Sequence, residues 1–306
     1  MPRAVVTRSR RRATGLQRQE WRDGWLFASP FVIGVLVFWA GPMVYSLFLV
    51  TQDWNLLNPP TFAGLRNILA LFDDPLVGTA LYNTAFYTFI GVPLQLIVAF
   101  SLALALNQGI RGLSVYRVVF YLPAITPAVA SAVVWVQIFN PEFGVINHVM
   151  RFFGMRPVQW LFEPALAKPA FIIMSIWAIG PMMIIFLAGL QNVPKELIEA
   201  AAIDGAGMWQ RFRHITVPLM SPILFFNLVI GIIGSFQVFT SAYVMTRGGP
   251  QNATLFMVLY IYLSGFQLFK MGYATTLAWL LFWIIMFFTF LQFRFANRWV
   301  YYEGKK

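Results

Sequence analysis

Hydrophobic residues occur along this chain in long uninterrupted runs. Seven runs contain no Asp, Glu, Lys or Arg, and they cover 24–52, 75–110, 118–141, 169–194, 214–246, 248–269 and 271–293. A helix needs about 20 apolar residues to cross the hydrocarbon core of a bilayer. The run 248–269 is broken by Gly and Pro at its start and by Ser264 and Gly265 near its end, so only 255–263 is continuous. That piece is too short to cross, and the other six runs predict membrane-spanning helices.

The pattern therefore predicts an all-α integral membrane protein with one six-span domain over 24–298. The predicted spans are approximately 25–50, 78–106, 117–139, 169–190, 219–245 and 271–293. The segment 246–269 is predicted to be external and either interfacial or re-entrant. A basic tail, 1–23, precedes the domain and a short tail, 299–306, follows it.

Composition agrees with this class. Hydrophobic residues make up 59% of the chain and charged residues 11%, whereas soluble domains have about 25% charged residues. An ordinary soluble domain is therefore excluded. The chain has no Cys and 2 His, so disulfides and Cys-ligated metals are excluded and an imidazole cluster is not expected. We predict no catalytic residue and no metal site.

Basic residues lie mainly on one side of the predicted membrane. Of the 22 Lys and Arg, 16 fall in the basic tail 1–23, at Arg111 and Arg117 before and at the start of the third predicted span, in the connection after the fourth span, and from Arg294 onward. Positive charge is enriched in cytoplasmic loops, so both termini are predicted to be cytoplasmic. The Arg-rich stretch 8–12 also resembles a nucleic-acid arm or an export signal. We favour a charge that orients the chain at the lipid surface, with no nucleic-acid partner, because the apolar run that follows exceeds a signal-peptide core.

The predicted spans lack the groups that would drive transport. Ion-coupled carriers place ionisable side chains within the bundle, whereas the only ionisable residue in these runs is His214, at the predicted cytoplasmic edge. The phosphate-binding pattern G-x-x-x-x-G-K-[ST] is also missing from the sequence. Energy for any pumping must therefore come from another subunit, and the chain is predicted not to be an enzyme.

The connection 192–214 is the longest one on the predicted cytoplasmic side. Asn192 is predicted to cap a new helix, Pro194 to lie in its first turn, and 195–203 to form it. Gly205 can adopt the left-handed conformation that closes a helix, and a second short helix is predicted over 208–214. The small side chains of Ala200, Ala201 and Ala202 favour a docking face. A solvated amphipathic connector is the alternative.

The order of residues in this connection resembles the EAA loop of bacterial ABC-importer permeases. The matching positions are Glu199-Ala200-Ala201, Asp204-Gly205-Ala206, Phe212, Pro218-Leu219 and Pro222. In that family the first helix of the loop is a coupling helix that enters a cleft of the cytoplasmic ATPase subunit. The resemblance therefore assigns ATPase coupling to Glu199, Ala200, Ala201, Asp204, Gly205, Ala206 and Phe212.

Further motifs resemble the carbohydrate-uptake type 1 permeases, over about 24–300. They are Phe120-Tyr121-Leu122-Pro123, Phe139-Asn140-Pro141-Glu142-Phe143-Gly144, Leu187-Ala188-Gly189-Leu190-Gln191, Gly248-Gly249-Pro250-Gln251-Asn252, Tyr260-Ile261-Tyr262 and Gly272-Tyr273-Ala274. The Gly-Gly-Pro segment is typical of the first of two unlike permeases, similar to the maltose-type subunit, without the large external insertion of that subunit. The resemblance implies a minimal six-span type I ABC-importer permease core.

The same resemblance implies the partners. They are a second, unlike permease, a cytoplasmic ABC ATPase dimer, an extracytoplasmic solute-binding protein and membrane lipid, in a bacterial cytoplasmic (inner) membrane. ATP and Mg²⁺ would bind to the ATPase, and this chain would hold no cofactor.

Polar residues within two predicted spans are candidates for the solute path, because sugars bind to aromatic faces and to amide or hydroxyl groups. The candidates are Trp135, Gln137, Asn140, Ser235, Gln237, Thr240, Ser241 and Tyr243. At 3.6 residues per turn Gln237, Thr240 and Ser241 would share one helix face. The alternative is that these residues hydrogen-bond one helix to another. Helix kinks are predicted at Pro123, Pro127, Pro181 and Pro222.

The predicted function is that of the membrane permease subunit of an ATP-driven importer for a carbohydrate. A permease for glycerol or glycerol phosphate is an alternative, although few basic residues lie near the candidate path. An ion-coupled secondary carrier is less favoured because intramembrane charge is missing. A structural membrane subunit or receptor would not need the helical loop 192–214.

Overall fold

The computed structural model describes residues 15–109 and 111–301. The chain is almost entirely helical there. In chain order the α-helices are α1 Gly15–Val35, α2 Gly41–Val50, α3 Arg66–Asp73, α4 Pro75–Leu106, α5 Leu113–Ile125, α6 Ala128–Ile138, α7 Val145–Phe152, α8 Pro164–Trp177, α9 Gly180–Gln191, α10 Lys195–Ile203, α11 Met208–Arg211, α12 Val217–Phe236, α13 Thr240–Met245, α14 Met257–Tyr262 and α15 Met271–Ala296. Wider π-helical turns lie at Leu36–Ala40, Phe212–Thr216 and Leu263–Gln267.

Four helical stretches of the described chain are long and apolar enough to cross a membrane, and two bent pairs of helices bring the number to six. Six is the number that the hydropathy pattern predicts. The first stretch begins at Gly15, about ten residues before the predicted start at 25, so the end of the basic tail is helical. The predictions for 1–14 and 302–306 concern residues outside the described part of the chain.

The third and fourth predicted spans are not single straight helices. α5 and α6 meet at 99°, and α8 and α9 meet at 48°. Pro127 precedes α6 and Pro181 lies in the first turn of α9, and each lacks the backbone donor that a continuous helix would use. The kinks predicted at these two prolines are confirmed. Pro222 lies within α12, which continues to Phe236, and Pro123 lies near the end of α5.

The fifth predicted span, 219–245, is also interrupted. α12 ends at Phe236, residues 237–239 are not helical, and α13 begins at Thr240. The prediction that Gln237, Thr240 and Ser241 share one face of a continuous helix is therefore wrong. Charge-free hydropathy cannot reveal such a break, because the residues around it remain apolar.

The core of the bundle is organised around α4, which packs against α8, α9 and α12. One buried cluster includes Tyr87, Phe171, Phe236 and Phe256, and a second includes Met183, Phe186 and Met220. Ser235 of α12 donates a hydrogen bond to Thr88 of α4 at 3.0 Å. These contacts hold the helices on either side of α4 in one body.

Two short strands, β1 Gln52–Asp53 and β2 Thr61–Phe62, pair antiparallel at the predicted external end. Asn67 of α3 donates hydrogen bonds to the carbonyl oxygens of Val50 and Gln52, at 2.9 and 2.8 Å. Gly272 at the start of α15 lies against the Gln52 carbonyl so closely that a Cβ atom would clash with it. The first and last long helices are thereby joined at this end.

The middle of the segment 246–269 packs inside the protein, whereas Gln251, Asn252 and 266–269 are exposed. Thr254, Phe256, Met257 and Leu259 are buried, and α14 lies between α4 and α15. Its burial explains why a sequence too short to cross a membrane is nevertheless so apolar.

Candidate functional site

The loop 192–214 is built around a sharp turn at the end of α10. The amide of Ala206 donates to the carbonyl oxygen of Ala201 at 2.8 Å, and the amide of Gly205 donates to that of Ala202 at 3.1 Å. These two bonds form a Schellman motif, which needs a left-handed residue after the helix. Gly205 has φ +83°, so the predicted left-handed turn is confirmed. The helix predicted over 195–203 is also confirmed.

Two details of the predicted loop are wrong. Asn192 directly follows the last residue of α9 and does not cap α10, and Pro194 is the residue before α10. No separate helix covers 208–214, because α11 continues through the turn Phe212–Thr216 directly into α12. The apolar side chains that follow Arg213 and His214 allow the helix to run on into the bundle.

Large apolar side chains of this loop face outward. Ile203 is 87% exposed and Trp209 is 68% exposed, and Leu197 and Met208 are exposed as well. Glu199, Ala200, Asp204 and Gly205 are exposed, whereas Ala201 and Ala206 are half-buried. A solvated connector would carry polar residues at the positions of Leu197, Ile203, Met208 and Trp209. Exposed apolar groups of this size are typical of a surface that another protein covers.

The second part of the loop is fixed to the bundle. The amide of Gly207 donates to Oε1 of Gln210 at 2.8 Å, which caps α11. The ring of Phe212 lies between those of Trp209 and Phe100, with centroid distances of 5.3 and 6.1 Å. Phe212, which the resemblance assigns to coupling, therefore packs on α4 and joins the loop to the helices.

A cavity of about 350 Å³ opens between α10 and α11. Its lining consists of Ala201, Asp204, Gly205, Ala206, Gln210, Arg211, His214 and Ile215. Four of the seven residues assigned to coupling thus surround one concave surface. The arrangement can receive a side chain from a partner protein, next to the carboxylate of Asp204 and the guanidinium of Arg211.

A second cavity, of about 360 Å³, lies within the bundle beside α4, α6, α8 and α12. Its polar lining consists of Tyr87, Gln95, Ser131, Ser175, Ser235 and Ser241. Phe171, Met174, Ile230 and Val238 supply apolar surface. Hydroxyl and amide groups beside apolar and aromatic side chains are the combination that binds an uncharged polyhydroxyl solute.

The predicted path residues are not all brought together. Ser235 and Ser241 line the cavity within the bundle, but Oγ of Ser235, with its single proton, also lies within hydrogen-bonding distance of Thr88 Oγ1 and of the Ile232 carbonyl oxygen. Trp135 is buried between Phe139 and Trp177. Helix-to-helix bonding, the alternative reading, therefore describes Ser235 well.

The remaining predicted residues lie elsewhere. Gln137 and Gln237 are exposed, and Thr240 is half-buried at the start of α13. Asn140 accepts hydrogen bonds from the amides of Glu142 and Phe143, at 2.9 and 3.2 Å, so it shapes the turn after α6. Tyr243 stacks on Phe239 at 5.6 Å.

Four polar lining residues were missed from the sequence: Tyr87, Gln95, Ser131 and Ser175. Gln95 donates to Ser175 at 2.8 Å and so joins α4 to α8. A signal was present, since Gln95 is the only amide between Leu94 and Leu106 in a run of apolar residues. An amide in the middle of a span is costly unless it has a partner.

A carboxylate lies at the predicted external end of the bundle. Asp74 accepts hydrogen bonds from the hydroxyls of Tyr260 and Tyr273, the latter at 2.6 Å, and from the Leu76 amide at 2.9 Å. Burial alone would raise the pKa of Asp74, but these hydrogen bonds outweigh it and the pKa lies below its usual value. The carboxylate connects the start of α4 with α14 and α15.

Asn83 of α4 holds the buried segment in place. Its side-chain amide donates to the carbonyl oxygens of Asn252 and Leu255, at 2.7 and 3.2 Å. Its Oδ1 accepts from Lys168 Nζ at 2.9 Å, and the ammonium group lies over the ring of Tyr82. The Gly-Gly-Pro segment singled out in the sequence is thus tied to α4 and α8.

Comparison with known proteins identifies the family. Residues 77–301 match the family described as "Binding-protein-dependent transport system inner membrane component". A probable ABC transporter permease protein of Bacillus subtilis, YesP, is 41% identical over 94% of this chain and 95% of its own. The trehalose/maltose transport system permease protein MalF of Thermococcus litoralis is 33% identical over 90% of this chain and 93% of its own.

The fold matches as well. A bacterial ABC transporter involved in the import of the acidic polysaccharide alginate superposes with a TM-score of 0.80 at 24% identity, covering 93% of this chain and 99% of that chain. The predicted fold class, a six-span ABC-importer permease core, is confirmed. Because the family match spans most of the chain and the relatives align over nearly their whole length, the chain belongs to the inner membrane components of binding-protein-dependent transport systems.

Proposed function

We propose that this chain is the permease subunit of an ATP-driven carbohydrate importer, and that the loop 192–214 receives the motion of a separate ATPase. The observation that carries the proposal is a continuous path of helix. The exposed loop passes from α11 through Phe212–Thr216 into α12 without a break, and α12 lines the cavity within the bundle through Ile230, Gly231, Gly234 and Ser235. A force applied at the loop therefore acts on the wall of the cavity.

The chemistry of the cavity supports a carbohydrate. Among the described residues that line it, hydroxyl and amide groups supply the polarity and no side chain carries a formal charge at neutral pH. A phosphate group would need a cationic partner in such a place, which disfavours glycerol phosphate. The names of two relatives, trehalose/maltose and lactose transport permeases, also favour a carbohydrate as the solute.

An exposed apolar helix supports a second permease. α1 has no buried residue, and Phe27, Phe31 and Phe38 are largely exposed along it and the turn that follows. Lipid covers part of such a surface. A helix that leaves its own bundle can also pack on a neighbouring subunit, and we assign that role to the unlike permease of a heterodimer.

The family description includes a binding protein, and we assign an extracytoplasmic solute-binding protein to the end that carries Asp74 and Asn83. Both termini and the loop 192–214 would then be cytoplasmic in a bacterial inner membrane. The chain has no Cys, so single cysteines can report this topology. Cysteines replacing Arg151 or Asn252 should react with an impermeant reagent on intact spheroplasts, and cysteines replacing Ala206 or Lys305 only after permeabilisation. Labelling of a cysteine at position 206 on intact spheroplasts would show that the orientation is the opposite of the one proposed.

The central experiment is reconstitution. This chain, its second permease and its ATPase would be placed in liposomes with the binding protein and candidate sugars. ATP turnover should require the ATPase subunit and should rise when the sugar-loaded binding protein is added. Hydrolysis by the purified single chain, or uptake that ignores ATP and follows an ion gradient, would refute the proposal and favour an ion-coupled carrier.

A further inference from the structure

The short helix α7, Val145–Phe152, has an unusual distribution of side chains. At 100° per residue, Ile146, Asn147 and Met150 share the face that packs on the protein, and they are buried or half-buried. Val145, Val149 and Phe152 form one exposed strip, and Phe152 is 83% exposed. His148 and Arg151 form a second exposed strip directly beside the first. The solvent-accessible side of α7 is therefore divided into an apolar half and a basic half.

The orientation of α7 is fixed by Asn147, which is fully buried. Its amide nitrogen donates to the carbonyl oxygens of Pro141 and Val158, at 3.1 and 2.8 Å. Its Oδ1 accepts from the Val158 amide and from Trp160 Nε1, each at 3.1 Å. A side chain with all of these bonds satisfied holds the helix in one rotation. The apolar strip consequently stays outward.

Further exposed apolar side chains lie in the same segment of the chain as the strip. Exposed apolar side chains between the end of α6 and the start of α8 are Phe143, Val145, Val149, Phe152, Phe153, Met155 and Phe162. Phe152 and Phe153 meet edge to face at 5.5 Å. So many aromatic groups next to the ends of two membrane helices match the composition of a membrane interface.

We propose that α7 and the turn that follows it lie in the interface of the outer leaflet. Val145, Val149 and Phe152 insert among phospholipid acyl chains, while His148 and Arg151 face the lipid phosphates. An interfacial helix has this combination of an apolar strip and a basic strip. Two observations favour phospholipid over a protein as the occupant. Val133 and Val134 of α6, the membrane helix that precedes α7, are exposed as well, and α7 itself carries basic but no acidic residues.

The helix α7 would hold the loop between α6 and α8 at a fixed depth in the bilayer. α6 carries Ser131 in the wall of the cavity, and α6 meets α5 at a sharp bend. Anchoring the far end of α6 at the lipid surface resists its withdrawal when the other helices move. The orientation of the chain determines only which leaflet α7 contacts. The topology labelling can therefore contradict the proposed orientation while the contact of α7 with lipid is still observed.

The test uses a matched pair of adjacent residues. Val149→Cys and His148→Cys would each be made in the assembled transporter, labelled with an environment-sensitive fluorophore and placed in nanodiscs. Phospholipids brominated on the acyl chain and aqueous iodide serve as the two quenchers. We expect the label at 149 to lose most of its emission to brominated lipid and little to iodide. The label at 148 should show the reverse.

Depth gives a second readout. Bromine near the headgroup end of the acyl chain should quench the label at 149 more strongly than bromine near the terminal methyl, because an interfacial helix lies only about 5 to 10 Å deep. A label at 149 that iodide quenches and brominated lipid does not would overturn the proposal. So would a label shielded from both quenchers, which would show that a protein covers the strip. Phe152→Cys and Glu142→Cys form a further pair if either first variant fails to assemble.

Discussion

The hydroxyl of Ser235 donates a hydrogen bond to Oγ1 of Thr88 at 3.0 Å, and so joins α12 to α4. Ser235 is also a wall residue of the cavity within the bundle. Its hydroxyl is therefore already used in holding two helices together, and its single proton is shared with the Ile232 carbonyl oxygen, 2.9 Å away. Two roles proposed from the sequence, solute contact and helix-to-helix bonding, thus meet at one atom.

Ser235→Ala should lower stability more than it lowers solute affinity. A lost hydrogen bond costs about 1 kcal/mol net, and the Thr88 hydroxyl would lose a partner in a buried place. Ser241→Ala is the matched comparison, because Ser241 lines the same cavity. Thermal unfolding of the assembled transporter and initial uptake rates would be measured for both. If Ser235→Ala leaves unfolding unchanged and reduces uptake several-fold, solute contact is the dominant role of Ser235.

Gln237→Ala should leave assembly intact, since Gln237 is exposed at the break between α12 and α13. Tyr243→Ala is expected to behave differently. Its ring stacks on Phe239 and meets Tyr262 edge to face, with centroids 5.6 and 5.2 Å apart, so its removal leaves a gap among aromatic groups. Loss of a packed ring costs about 3 kcal/mol or more. Equal yields of assembled complex for the two variants would contradict this distinction.

The sequence predicts the number of helices and the shape of the 192–214 turn because each depends on local properties. Charge-free length specifies a span, and Gly205 after an Ala-rich helix specifies a left-handed turn. The breaks at 126–127 and 237–239 depend on how neighbouring helices pack. Pro127 signals the first break, but no Pro or Gly occurs among Gln237, Val238 and Phe239.

The cavity within the bundle was harder to predict. Its polar residues come from α4, α6, α8, α12 and α13, and which faces of these helices meet is decided by tertiary contacts. Gln95 and Ser175 are far apart in the chain, and only the folded bundle brings them within 2.8 Å. Conversely, Asn140 has a side chain of the type that binds a solute, but its amide oxygen accepts the hydrogen bonds of a local turn. A polar residue type within an apolar run identifies a candidate, whereas its partner determines its role.

Asp74→Asn should destabilise the predicted external end of the bundle at neutral pH. The tyrosine hydroxyls donate to a carboxylate whose pKa is below its usual value, so the folded state favours the ionised form. Stability from this preference is present above the unfolded pKa, near 3.8, and is lost as pH falls through the lower folded pKa. The difference in unfolding temperature between wild type and variant should be constant from neutral to mildly acidic pH and should shrink below that range.

The control for Asp74→Asn is Asp73→Asn, which removes the same charge at the neighbouring, exposed position. We expect little change in unfolding temperature from it at any pH, because exposed charges contribute little. Equal destabilisation by the two variants would show that net charge at this end matters and that the hydrogen bonds of Asp74 do not.

Gly180→Ala should destabilise the bend between α8 and α9. A Cβ atom at Gly180 would lie 2.3 Å from the Phe120 carbonyl oxygen and 2.8 Å from the Cα atom of Tyr121. Both are backbone atoms, so α5 and α9 would have to separate, at a cost of about 1 to 3 kcal/mol. Gly78→Ala in α4 meets no atom within 4 Å and is the control. Unfolding temperatures of the two variants should differ clearly, and similar values would show that the bend adapts freely.

Gly205→Val should uncouple the ATPase while leaving the chain inserted in the membrane. No atom lies within 4 Å of a Cβ at Gly205, so the expected effect is backbone strain at φ +83°. A residue with a side chain costs about 1 to 2 kcal/mol in that conformation, and the Schellman turn that presents Ile203 should open. Gly207→Ala is the control, because Gly207 has φ −66° and tolerates a side chain.

Ala201→Arg tests the same surface by size instead of strain. Ala201 is half-buried in the wall of the cavity between α10 and α11, so a long charged side chain should fill the space that a partner would enter. Both Gly205→Val and Ala201→Arg should lose co-purification with the ATPase or solute-dependent ATP turnover. Gly207→Ala should retain both. The coupling proposal fails if all three variants hydrolyse ATP in response to solute at the wild-type rate, because an intact turn and an open cavity would then be unnecessary for transmitting the motion.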